Sequence, residues 1–155
     1  MNKLGIAISS LGHSQLSYRI IKEVNDFMLK RYDIPISVFY QNLERPLGKL
    51  LTGYFNITES WLFAGTVIAT NHSTASKLLT IIGPKRKIYY VQDLDFLNRT
   101  LDYSMFTNIF WNDNLDIICR AESHKKVIEN NFNKKVLGVV DKFRLSELLP
   151  MVGIT

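Results

Sequence analysis

Six short runs rich in β-branched and aromatic residues alternate along this chain with segments whose apolar residues recur every three or four positions. This alternation constrains the fold more than any single motif, because it is the signature of βαβ units feeding a parallel sheet. The runs cover residues 3–9, 36–40, 66–70, 87–91, 115–120 and 135–140. Most are apolar on both faces, as strands must be when helices cover the sheet on two sides; an antiparallel sandwich would alternate apolar and polar residues more regularly.

Helical spacing fills the gaps between these runs. Leu16, Ile20, Val24, Phe27 and Met28 define an amphipathic helix over residues 14–31. A second helix is expected over 73–82, capped by Ser73 or Thr74 and ended by Gly83-Pro84. A third fits 123–132 behind Ser123, and a fourth fits 144–152 with Leu145, Leu148 and Leu149 inward. Pro46, Gly48 and Gly53 break the segment 42–65, which reads as a long loop with a short helix near 57–63. Residues 96–110 carry helical spacing at Leu97, Leu101, Met105 and Ile109, loosened by Asn98 and Asn108. The fold class is therefore α/β: one doubly wound, mainly parallel, Rossmann-like sheet of about six strands, with residues 1–155 forming one domain and no repeat or linker dividing it.

Composition agrees with this picture. With 46% hydrophobic and 21% charged residues, the 155-residue chain has enough apolar material for a core without disulfides. The single cysteine, Cys119, sits in the apolar run at 115–120 and reads as a small buried hydrophobe rather than a reactive thiol. No apolar stretch reaches the length of a membrane span and no leader precedes the first strand, so a reducing, cytoplasmic setting is expected and the Asn-x-Ser/Thr sequons at Asn56, Asn71 and Asn98 are discounted. Among the aromatics, Tyr18, Phe39, Tyr40, Phe63 and Phe106 are expected to fill the core, and Trp61 and Trp111 to be half buried.

In an open α/β sheet, ligands bind beyond the carboxyl ends of the strands where strand order reverses. Those ends are polar here. Ser9-Ser10-Leu11-Gly12-His13-Ser14-Gln15 follows the first strand, and its Gly12 permits a close turn before a helix N-terminus able to receive an anion or a sugar hydroxyl. It lacks the three glycines of the dinucleotide fingerprint and the Lys-Ser/Thr ending of a P-loop. All three histidines, His13, His72 and His124, fall at strand ends. They lack paired metal-ligand spacing, so no metal is assigned, and hydrogen bonding to ligand hydroxyls or phosphates is the expected use. Tyr89-Tyr90-Val91-Gln92-Asp93-Leu94-Asp95 runs a strand directly into two carboxylates, each able to serve as a base, bind sugar hydroxyls, or simply cap a turn and be solvated. Arg120 either holds a phosphate or pairs with Glu122 or Asp141.

Several of these runs resemble the N-terminal, acceptor-side Rossmann-like domain of GT-B-type glycosyltransferases. The first strand with its Gly12 turn is similar to that family's opening element, although Gly12-His13 stands where paired glycines are usual. Thr66 to Thr70 followed by Ser73-Thr74-Ala75 is similar to its mid-domain strand and loop, Tyr89-Tyr90-Val91-Gln92-Asp93 to an aromatic-Val-Gln-Asp run, and Asp116 to Ser123 to a strand, serine and helix element. The resemblance spans residues 3–141. It implies a crevice lined by Gly12, His13, Ser14, Asn71, His72, Asp93 and Arg120 that binds a sugar-bearing acceptor or a nucleotide sugar. It assigns no catalytic residue and no cofactor. Because 155 residues hold no second Rossmann domain, it also implies a homo-oligomer or a partner chain carrying the other half.

Two other readings stand beside it. A non-catalytic, flavodoxin-like interaction module would associate through the 42–65 segment, where Leu47, Leu50, Leu51 and Phe55 suit an interface, or through an apolar helix face. Nucleic-acid binding would use Lys85-Arg86-Lys87, Lys125-Lys126 and Lys134-Lys135, but the net charge of +5 is spread over both halves of the chain rather than concentrated in a stripe.

Overall fold

The computed structural model describes residues 3–12, 14–31, 33–46, 48–97 and 103–154. His13, Leu47, Leu101 and the sequon at 98–100 lie outside the described residues. The elements follow the expected alternation: β1 (Leu4–Ser10), α1 (Gln15–Met28), β2 (Ile36–Asn42), β3 (Gly53–Asn56), β4 (Thr66–Ala69), α2 (His72–Leu79), β5 (Arg86–Val91), α3 (Tyr103–Phe110), β6 (Asp116–Cys119), α4 (Glu122–Phe132), β7 (Val136–Val139) and α5 (Leu145–Met151). The seven strands form one sheet in the order β3-β2-β1-β4-β5-β6-β7, and every pair is parallel.

The two-residue period of each strand sorts its side chains between two cores. Leu4, Ile6 and Ile8 of β1 point to one face, where they join Ile20 and Val24 of α1 and Leu145 and Leu148 of α5. Ala7 of β1, with Val67 and Ala69 of β4, faces the opposite side and packs with Leu78 of α2, Phe106 and Phe110 of α3, and Ile128 of α4. Small residues on that second face make room for aromatic rings. A Cβ at Gly5 would stand 2.8 Å from the Phe39 ring and 2.9 Å from Val67.

Four expectations need correction. The sheet has seven strands, because Gly53–Asn56 pairs with β2 inside the segment read as a loop. A four-residue Gly-Tyr-Phe-Asn strand is too short to show a period, and its pairing is settled by the neighbouring strand. The short helix expected near 57–63 is present, as a 3-10 helix over Ile57–Leu62 held by an Asn56/Glu59 capping box, and needs no correction. The α2 cap is Asn71 rather than Ser73 or Thr74, and α4 begins before Ser123, with Ala121 at its cap position and Glu122 in its first turn. Finally, Tyr18, Trp61 and Trp111 are not core residues: they are 53%, 64% and 65% exposed, while Phe39 and Phe106 are buried as expected.

Candidate functional site at the carboxyl edge

The chain proceeds from β1 outward to β2 and β3, then returns to β4 on the other side of β1. Strand order therefore reverses between β1 and β4, and the helices that follow these two strands pack on opposite faces, α1 in one core and α2 in the other. In open α/β sheets this arrangement makes the carboxyl edge at such a point the expected place for a ligand crevice. One wall is the turn after β1; the other is Thr70-Asn71-His72.

Both walls are tightly braced from within. On the β1 side the Gly12 N–H donates to Ser10 Oγ at 3.0 Å, Ser17 Oγ donates to the Ser10 carbonyl at 2.6 Å, and Ser14 caps α1 by accepting from Ser17 N–H. On the β4 side, Thr70 donates through its N–H and its Oγ1 to the Ala7 carbonyl, at 3.1 and 2.9 Å, tying the end of β4 to β1. Asn71 Oδ1 accepts from Thr74 N–H at 2.8 Å, and Thr74 Oγ1 accepts from Asn71 N–H at 3.2 Å, closing a capping box. Asn71 and Ser14 thus hold the helix starts in place, and their side-chain acceptors are already engaged. Gly12 is buried against the segment after β2, where a Cβ would fall 2.6 Å from Glu44 Oε2 and 3.1 Å from the Arg45 carbonyl. A glycine is needed there for that close approach.

His72 is the first residue of α2, and its side chain meets Asp95, after β5, and Phe106 of α3. Its side chain is 16% exposed, with the ring 5.0 Å from that of Phe106. Its Nδ1 lies 3.4 Å from Asp95 Oδ2, an ion-pair distance without an aligned hydrogen bond. With its proton on Nδ1 toward that carboxylate, the ring would leave Nε2 free as an acceptor. Two further buried polar atoms on this edge, Gln92 Oε1 after β5 and His124 Nδ1 on α4, have no hydrogen-bond partner among the described residues.

Arg120, at the end of β6, sits between carboxylates from the two flanking strand ends. Its Nη1 is 3.6 Å from Asp93 Oδ1 and its Nε 3.9 Å from Asp141 Oδ1. All three side chains are between 39% and 63% exposed, so these pairs orient charge more than they stabilise the fold. Of the residues expected to line the crevice, Gly12, Ser14, Asn71 and His72 come to the β1–β4 switch point. Asp93 and Arg120 form a second cluster one and two strands along, roughly 5 and 10 Å away at the usual strand spacing. Asp95 is the partner for His72 that residue spacing does not reveal, because it reaches His72 through a turn after the neighbouring strand. The Ser73 hydroxyl donates to Gln41 Oε1 at 3.1 Å, linking the ends of β2 and β4 across β1.

Among the described residues, no three His, Cys, Asp or Glu side chains gather as a metal-binding group, and no helix is long and apolar enough to cross a membrane. No protein-family model, curated protein or solved structure matches the chain.

Proposed function

We propose that this chain is the acceptor-side domain of a glycosyl-transfer system, binding a hydroxyl-rich sugar acceptor or nucleotide sugar in the crevice at its β1–β4 switch point. The observation that carries this reading is the His72–Asp95 pair. With a carboxylate 3.4 Å from Nδ1, His72 could take the proton of an attacking hydroxyl at Nε2 once the pair closes into a hydrogen bond, and Asp95 would stabilise the imidazolium formed. Arg120, with Asp93 and Asp141 beside it, offers donors and acceptors for the further hydroxyls or phosphates of a ligand extending along the edge. The unpartnered Gln92 Oε1 and His124 Nδ1 support the same reading, since buried polar atoms are rarely left unpaired and water or a ligand hydroxyl would complete them. Transfer needs a donor-side half to activate the leaving group, which we assign to a second domain on a partner chain or to an oligomeric assembly.

Titration of the isotope-labelled chain with a panel of nucleotide sugars and free sugars, followed by backbone amide shifts, tests this reading. Saturable shifts at Ser10 to Ser14, Asn71 to Ser73, Asp93 and Arg120 are expected. No saturable shift with any member of the panel would overturn it and favour an interaction module.

A further inference from the structure

At the opposite, amino edge of the sheet, a cavity of about 460 Å³ opens between the α2–β5 connection and the turn before β6. It shares no residue with the crevice described above. Its volume falls in the range of small-molecule sites. One wall is basic: Lys85, Arg86 and Lys87 all line it. Arg86 is already engaged, with Nε 2.8 Å from Asp116 Oδ2 and Nη1 donating to the Val152 carbonyl at 2.9 Å. Lys85 and Lys87 have no carboxylate partner among the described residues. Burial without such a partner holds the Lys87 ammonium below the ordinary lysine range. A third ammonium stands close by, where Lys134 Nζ donates to the Asn112 carbonyl at 2.7 Å, one residue before the lining residue Asp113. Leu79, Ile81 and Ile82 form an apolar part of the lining, with Ile82 94% exposed, and Asp113, Asn114 and Asp116 also line it.

We infer that this cavity binds a small phosphomonoester, its phosphate held between Lys85 and Lys87 and its organic part laid against Leu79, Ile81 and Ile82. Lys85 immediately precedes β5 and Lys87 is its second residue, and their flexible ammonium groups can converge on one tetrahedral dianion. A phosphate would supply the counter-charge that the partly buried Lys87 lacks. Asp113 and Asn114, from the neighbouring connection, offer acceptors for hydroxyls on the organic part. The concave shape favours a small ligand over a polyanion backbone, which would track an open basic stripe.

Inorganic phosphate and phenyl phosphate, titrated separately into the labelled chain at constant ionic strength, test the inference. Both should give saturable amide shifts confined to residues 79–87 and 112–116, with phenyl phosphate binding more tightly because its ring meets the apolar wall. The double variant Lys85→Gln/Lys87→Gln should weaken phenyl phosphate at least about tenfold, while Lys30→Gln, just beyond α1 and outside the cavity lining, leaves it unchanged. Absence of saturation, equal effects of Lys30→Gln and the double variant, or shifts scattered over all the lysine-bearing surfaces would overturn it. Because the cavity is separate from the carboxyl-edge crevice, failure of either reading leaves the other intact.

Discussion

Replacing Tyr90 by phenylalanine removes one oxygen atom from the centre of the molecule. Tyr90 is fully buried on β5, and its hydroxyl donates to the Val140 carbonyl at 2.8 Å while accepting from the Phe143 N–H at 3.1 Å. These two groups bracket the turn after β7, in which Lys142 and Phe143 adopt positive φ values of 58° and 55°. Neither residue is a glycine, so the turn costs conformational energy that the Tyr90 hydroxyl helps to offset. The phenylalanine variant leaves a carbonyl and an N–H buried without this partner, at about 1–3 kcal/mol for each unsatisfied group. A total near 3 kcal/mol is expected, which lowers Tm by about 6–12 °C for a domain of this size. Calorimetry and guanidinium unfolding should agree on that loss. Tyr89→Phe is the matched control: Tyr89 is equally embedded, at 2% exposure, but makes no hydrogen bond among the described residues, and its replacement should cost under about 0.5 kcal/mol. If Tyr90→Phe is as mild as Tyr89→Phe, the hydroxyl does not hold the turn and the reasoning fails. The turn also carries Asp141, so amide shifts at Asp141 and Arg120 should move in the Tyr90 variant and not in the control.

Other perturbations have equally defined outcomes. The α5 N-terminus lacks a side-chain cap of its own and is capped from α1, where Glu23 Oε1 accepts from Leu145 N–H at 2.9 Å; Glu23→Ala should cost about 1 kcal/mol in guanidinium unfolding, with Glu23→Gln restoring most of it. A Cβ at Gly83 would fall 1.9 Å from the Trp61 carbonyl oxygen, a clash with backbone, so Gly83→Ala should destabilise by more than about 2 kcal/mol, whereas Gly48→Ala, which meets nothing within 4 Å, should stay within about 0.5 kcal/mol. Burial pushes the Cys119 thiol up to about 12, so a thiol-reactive dye at pH 8 should label the protein only as fast as it opens. Because the unfolded thiol ionises near about pH 8.5 and the folded one only near about 12, the fold holds an extra proton in that window and loses up to about 1.4 kcal/mol of stability per pH unit as pH rises through it. Cys119→Ala should flatten the slope, seen in unfolding midpoints across that range.

The fold was legible where physics is local. β1, β5 and β6 are apolar on both faces, and α1 keeps Ile20, Val24 and Phe27 on one stripe, so periodicity alone places them. β3 was not legible, because its four residues acquire their role from the register Ser37 to Tyr40 of β2. Helix starts were displaced for a similar reason. Asn71 and Ser73 are both good caps, and the choice between them falls to Thr74, whose side chain completes the box with Asn71. At the carboxyl edge, the sequence pointed to His72, Asp93 and Arg120 by their positions after strands and offered Asp141 as a partner for Arg120, but the pairing of His72 with Asp95 and of Arg120 with Asp93 depends on side chains meeting across strand ends. Gly12 was legible as a turn glycine, while the close approach of Glu44 and Arg45 that calls for it comes from a segment far along the chain.

If His72 faces the ligand, its own imidazole reports the contact. The chain has three histidines, so the ring carbon-proton signals form a simple spectrum that can be followed through the same sugar titration. The His72 ring signals should shift saturably, with the same midpoint as the amides of Asn71 to Ser73, and Asp95→Asn should alter that shift. Ring signals of His72 that stay fixed while amides elsewhere saturate would contradict that contact.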